Sequence, residues 1–156
     1  NVELVASTPT NTLTGTAVAD TLIGGATAEV IDAGKGVDTI ATGAGDDLVV
    51  LRTGDGSSTS ITDTVSDFIV GTDKFQLNGG LIFTDLNIAA DSANSDNSVI
   101  TIIASNEYLM VVADVVFSAL TSDDFGVINK ATLGASVMTV RISCLPSHLP
   151  PPRTAK

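Results

Sequence analysis

The chain is poor in the residues that soft metals, disulfides and nucleic acids require. Its 156 residues include one cysteine, one histidine, one tyrosine and no tryptophan, and lysine and arginine together number 7 against 18 aspartates and glutamates. A lone Cys144 excludes an intramolecular disulfide. With His148 as the single imidazole, a zinc site has no ligand set. The formal net charge of −11 is opposite to the balance of a nucleic-acid binder. No stretch approaches the ~18 consecutive apolar residues of a membrane-spanning helix. Residues 1–12 have neither a basic start nor a long apolar run, so no signal peptide is expected. Catalytic signatures are missing as well. There is no H-E-x-x-H pair for a zinc hydrolase and no G-x-S-x-G nucleophile turn. His148 lies in a Pro-rich stretch and gives a Ser-His-Asp triad no base. The adjacent acids Asp46–Asp47 and Asp123–Asp124 read as solvated turns. A non-enzymatic chain is expected.

What the chain has is a repeat. Residues 15–50 read G-T-A-V-A-D-T-L-I, G-G-A-T-A-E-V-I-D, A-G-K-G-V-D-T-I-A and T-G-A-G-D-D-L-V-V, one nine-residue pattern written four times without a gap. Its acidic position falls at Asp20, Glu29, Asp38 and Asp47, and its apolar position at Leu22, Ile31, Ile40 and Val49. A fixed period decides architecture before local propensity does. Glycine and aspartate in the first six residues make a turn, and the last three make a short strand. Two repeats complete one coil with a strand on each face, and stacked coils pair their strands in parallel around a narrow aliphatic core. The wider composition, rich in Ala, Thr, Val, Ile, Ser and Asp, also favours strands and turns over helices.

A core this thin does not by itself outweigh the entropy of ordering the backbone. Carboxylates stacked turn upon turn also repel one another unless a cation lies between them. Oxygen donors from aspartates and glycine-rich carbonyls suit calcium, in several copies along the stack. The plain alternative is a metal-free solenoid whose aspartates occupy exposed turns.

The repeats resemble the calcium-binding nonapeptide repeats of the RTX family, G-G-x-G-x-D-x-U-x with U a large apolar residue. The third and fourth match well, through Gly34, Gly36, Asp38 and Ile40, then Gly43, Gly45, Asp47 and Val49. The first two depart: Val18 and Thr27 replace the fourth-position glycine, and Glu29 replaces the aspartate. The resemblance implies calcium ions between turns two repeats apart. Asp20 would then pair with Asp38 and Glu29 with Asp47, with carbonyls of turn glycines such as Gly25, Gly34, Gly36, Gly43 and Gly45 completing the shells.

The resemblance extends further along the chain, over residues 13–127. After residues 51–56, which keep the phase of a fifth turn but carry Gly56 where the acid should be, residues 57–60 form a polar loop. Residues 61–77 alternate as two short strands around a turn at Gly71, Thr72 and Asp73. Here Asp67, Phe68, Gly71, Asp73 and Lys74 match the D-F-x-x-G-x-D-K pattern that follows the roll in serralysin-type domains. The resemblance implies a further calcium held by Asp67 and Asp73; an ordinary hairpin with turn aspartates is the alternative. Residues 98–104 and 108–116 then form a hairpin across Asn106–Glu107, and residues 118–125 a helical turn or capped bend.

The expected fold is all-β: a calcium-stabilised parallel β-roll followed by an antiparallel hairpin or sandwich-like part. The divisions are residues 1–13 as a leading strand or linker, 14–60 as the roll, 61–143 as a β region packed on it, and 144–156 as a disordered Pro-rich tail. The function implied by the resemblance is a secreted, extracellular calcium-binding module, exported by type I secretion machinery and folded by calcium outside the cell. The alternatives are a self-assembling surface-layer, matrix or filament subunit joined through open roll ends, and the C-terminal secretion domain of a larger hydrolase.

Overall fold

A computed structural model describes residues 3–5, 11–54, 56 and 59–127. The end of the expected β region, residues 128–143, and the expected tail at 144–156 lie outside the described residues. Among the described residues there is no α-helix, only strands, turns and three short 3₁₀ segments.

The nonapeptide period sets the first half. Strands β1 (Glu3–Val5), β3 (Thr21–Ile23), β5 (Thr39–Ala41) and β7 (Thr64–Val65) fall in one sheet, while β2 (Asn11–Thr14), β4 (Glu29–Asp32), β6 (Leu48–Leu51) and β8 (Lys74–Leu77) fall in the other. Each strand pairs in parallel with the one two places on. Alternate repeats therefore stack within one sheet, and successive repeats face each other across a thin interior. The roll begins before the four-repeat block, because Leu4 is in register with Leu22, and Leu13 with Ile31.

The second half continues the same sheets. Strand β11 (Tyr108–Val112) pairs in parallel with β7, and β12 (Phe125–Val127) in parallel with β8. Strands β9 (Leu86–Ala90) and β10 (Ser98–Ile102) extend the first sheet beyond β11 as an antiparallel meander. The result is a seven-stranded sheet facing a five-stranded one. The expected hairpin is β10–β11. Strands β7 and β8, by contrast, do not form a hairpin with each other. They lie in opposite sheets, as successive repeats do, because residues 66–73 cross from one face of the roll to the other.

Two inner columns run through the molecule. One is Leu22, Ile40, Val65 and Val112, all fully buried. The other is Leu13, Ile31, Val49 and Phe75, followed by Phe125. Aliphatic side chains fill the narrow repeat region. Aromatic rings take over where the interior widens: Phe68 stacks on Phe75 at 4.3 Å between ring centroids, and Phe75 on Phe125 at 5.2 Å. The fifth turn does not continue the stack. Gly54 keeps a left-handed φ of 106°, but a Cβ on it would meet nothing among the described residues within 4 Å, its N–H donates to the Glu107 carboxylate, and Gly56 bridges to Tyr108. The hairpin thus covers the point where the repeat breaks.

Candidate calcium site

The acids form two continuous columns beside the strands, each residue hydrogen-bonded to the next. On one face the N–H of Asp20 donates to Asp38 Oδ1 at 2.7 Å, and that of Asp38 to Asp63 Oδ1 at 2.9 Å. On the other, the N–H of Glu29 donates to Asp47 Oδ1 at 2.8 Å, and that of Asp47 to Asp73 Oδ1 at 3.2 Å. All six side chains are buried. The structure thus brings Asp20 beside Asp38 and Glu29 beside Asp47, and it places Asp73 at the end of the second column.

Asp67 lies beside this column, one coil beyond Thr42. Its Oδ1 accepts from the Thr42 N–H at 2.6 Å, and its Oδ2 from the Gly43 N–H at 3.0 Å. The Thr42 hydroxyl lies 3.1 Å from Asp67 Oδ1 and 3.2 Å from Asp73 Oδ2, so one fully buried threonine joins both aspartates to the repeat block. Asp73 Oδ2 also accepts from the Ile69 N–H.

The second coil supplies the glycine turns. Gly34 and Gly43 have φ of 94° and 90°, and a Cβ on either would come within 2.2 or 2.3 Å of a carbonyl oxygen in the turn beneath, Thr16 or Gly25. Only glycine allows both that backbone shape and that approach. Gly36 and Gly45 are left-handed as well, over Val18 and Thr27. In the first coil Gly25 is not left-handed, and its N–H donates to Glu29 Oε2.

The electrostatics centre on Asp47. Burial pushes its carboxyl up from 3.8 to about 6. The Glu29 N–H opposes that rise, and the charges of Asp73, Glu29 and Asp67 add to it. Its second oxygen, Oδ2, is buried with no hydrogen-bond partner. An unpartnered buried carboxylate oxygen is costly unless a cation meets it. The donors here are all oxygens, which fits a hard cation such as calcium. Among the described residues no three acidic, His or Cys side chains converge on one point.

The profile of the RTX calcium-binding nonapeptide repeat matches residues 10–40 and 23–57. The chain carries RTX repeats. These RTX repeats are calcium-binding, and the fold they begin is an all-β parallel roll. No curated protein sequence matches the chain. Among solved structures it is similar to the AlgE6R3 subunit of the Azotobacter vinelandii mannuronan C5-epimerase. Identity there is 18% over 96% of this chain and 94% of that one, with a TM-score of 0.46. Among the described residues no helix is long and apolar enough to cross a membrane.

Sequence reasoning missed Asp63, because it stands 25 residues after Asp38 rather than 18. A signal was present. Asp63-Thr64-Val65 repeats the Asp20-Thr21-Leu22 and Asp38-Thr39-Ile40 triplets, and Thr21, Thr39 and Thr64 fall in register. Asp124, which the sequence alone places in a solvated turn with Asp123, is buried. Burial pushes its carboxyl up, but the Thr121 N–H, the Lys74 ammonium and the Gly71 N–H outweigh that and hold it below the ordinary value. It ties the turn before β8 to the 3₁₀ segment before β12.

Proposed function

We propose that this chain is a secreted, non-catalytic calcium module whose roll is completed by calcium. The observation that carries the reading is Asp47. It is a buried carboxylate, its Oδ2 lacks a partner, and its pKa is pushed to about 6, all within a glycine turn of a matched repeat. The residues that would hold ions are Asp38 and Asp47 with the carbonyls of the Gly34–Gly36 and Gly43–Gly45 turns. Asp67 and Asp73 would serve at the following level, while Asp20 and Glu29, one coil before, are held by donors of their own turns. Bound there, calcium would neutralise the stacked carboxylates and cross-link successive turns.

The chain's own residues account for the switch. Without a cation, ionised Asp47 lies among Asp73, Glu29 and Asp67 and opposes closure of the turn. With one, closing the turn also aligns β4, β6 and β8, which Asp47 joins through both neighbours. Binding free energy then becomes folding free energy. In cytoplasm, where calcium is scarce, such a chain stays open and suited to one-step export. Outside, where calcium is abundant, it closes. The test is a calcium titration of the full chain followed by strand content and calorimetric heat. A sigmoidal gain of strand with a midpoint around 10⁻⁴–10⁻³ M, not reproduced by magnesium, is expected for an extracellular module. Absence of any calcium heat would sink the reading.

A further inference from the structure

The two coils of the repeat block satisfy their acids in different ways. In the first coil, each carboxylate is held by donors of its own turn. Asp20 Oδ2 accepts from the N–H of Thr16 at 2.6 Å and from its hydroxyl at 2.7 Å. Glu29 Oε2 accepts from the Gly25 N–H at 2.8 Å, and Oε1 from the Thr27 hydroxyl at 2.6 Å. The donating N–H belongs in both turns to the repeat's second position, four residues before the acid.

The fourth repeat, in the second coil, does the opposite. Its second-position N–H, that of Gly43, turns away from Asp47 and donates to Asp67 in the next coil. The glycines that stand where Thr16 and Thr27 stand, Gly34 and Gly45, bring no hydroxyl. All four second-coil turn glycines are left-handed, while Thr16, Val18, Gly25 and Thr27 are not. Asp47 Oδ2 is left buried without a partner.

We infer that the first coil is a metal-independent cap. Thr16 and Thr27, with the backbone N–H of Thr16 and Gly25, take the place that calcium fills elsewhere, so the demand for calcium begins at the second coil. The departures from the repeat pattern then have a physical role. A threonine in a glycine position surrenders the left-handed turn and gains a hydroxyl that closes the carboxylate. The longer side chain of Glu29 reaches two donors of its own turn at once. A coil that closes on its own hydrogen bonds offers the second coil a preformed surface on which to stack, which lowers the ordering cost that calcium must offset.

This inference rests on the calcium-module reading above, and one experiment separates the two. Bound calcium per chain and the calcium midpoint of folding are measured for the full-length protein and for D20N, E29Q and D47N. The amide side chains keep an acceptor oxygen for the first-coil N–H groups, so D20N and E29Q retain the turn. The expected result is an unchanged ion count and a midpoint within about twofold for D20N and E29Q, against a lost ion or a midpoint raised at least about tenfold for D47N. The T16V and T27V variants provide a second arm. They should lower the unfolding temperature in saturating calcium while leaving the ion count unchanged. Loss of one ion in D20N, E29Q, T16V or T27V overturns the cap while leaving the calcium module standing. No bound calcium in the unaltered protein overturns both.

Discussion

Replacing Asp47 with asparagine should stabilise the chain in chelator and destabilise it in calcium. The folded, metal-free chain holds this carboxyl at about 6 instead of 3.8. Ionising it in the fold therefore costs roughly 3 kcal/mol more than in the open chain. Because the folded pKa is raised, the protonated group contributes its stability fully below about pH 4, and that contribution is lost as pH rises through about 6. The amide that replaces the carboxyl cannot ionise. At pH 7 in chelator the substitution should therefore recover about 1–3 kcal/mol, the lower figure allowing for a buried amide donor that needs an acceptor. The pH dependence between 4 and 6.5 should flatten with it. In saturating calcium the same substitution removes an anionic oxygen from the site and should cost at least about 2 kcal/mol. The assay is the strand signal by circular dichroism in chelator from pH 4 to 7.5, which reads the folded fraction of each protein directly, together with urea unfolding in saturating calcium. A variant that is weaker in both conditions, or an unaltered protein whose chelated stability does not fall between pH 4 and 6.5, refutes the argument.

Four further substitutions have outcomes set by the contacts around them. Gly43→Ala should lower stability in calcium by more than about 2 kcal/mol, because its Cβ would come within 2.3 Å of the Gly25 oxygen at φ 90°. Gly54→Ala, at φ 106° with nothing within 4 Å, should cost only about 1 kcal/mol, and thermal unfolding of the pair checks the contrast. Phe75→Ala removes the ring between Phe68 and Phe125 and should cost about 3–5 kcal/mol by denaturant unfolding. Thr121→Ala should cost about 1 kcal/mol through loss of the cap on Asp123 and of the Asp124 hydroxyl contact. Asp124 is held below its ordinary pKa, so its contribution is present above the ordinary value and is lost as pH falls through the folded one. An acid titration of the unaltered protein and Thr121→Ala should diverge above that range and converge below it.

The period of nine gave away the architecture because each repeat carries its own turn chemistry and one inward side chain. Once Leu22, Ile31, Ile40 and Val49 are seen to recur, parallel stacking of alternate repeats is the arrangement that buries all four. The resemblance to RTX repeats implies the pairing of Asp20 with Asp38 and of Glu29 with Asp47, and these residues do lie side by side. The period fails as a guide where spacing lapses. Asp63 continues one column after a 25-residue interval, since Gly54 and Gly56 meet Glu107 and Tyr108 instead of a further turn of the roll. Residues 64–77 show the right strands, but alternation alone cannot say that β7 and β8 lie in opposite sheets; that depends on where the intervening turn crosses the roll. The self-closing of the first coil was the least legible feature. Val18, Thr27 and Glu29 register in the sequence only as departures, and their role appears when donors and acceptors are traced atom by atom.

The most direct test of a calcium-completed roll is far-UV circular dichroism of the full chain, first in chelator and then in millimolar calcium, at pH 7. Ordered strand signal should appear with calcium and be lost when the ion is removed. An identical strand spectrum in both conditions would mean that the second coil closes without a cation, and the central claim would be wrong.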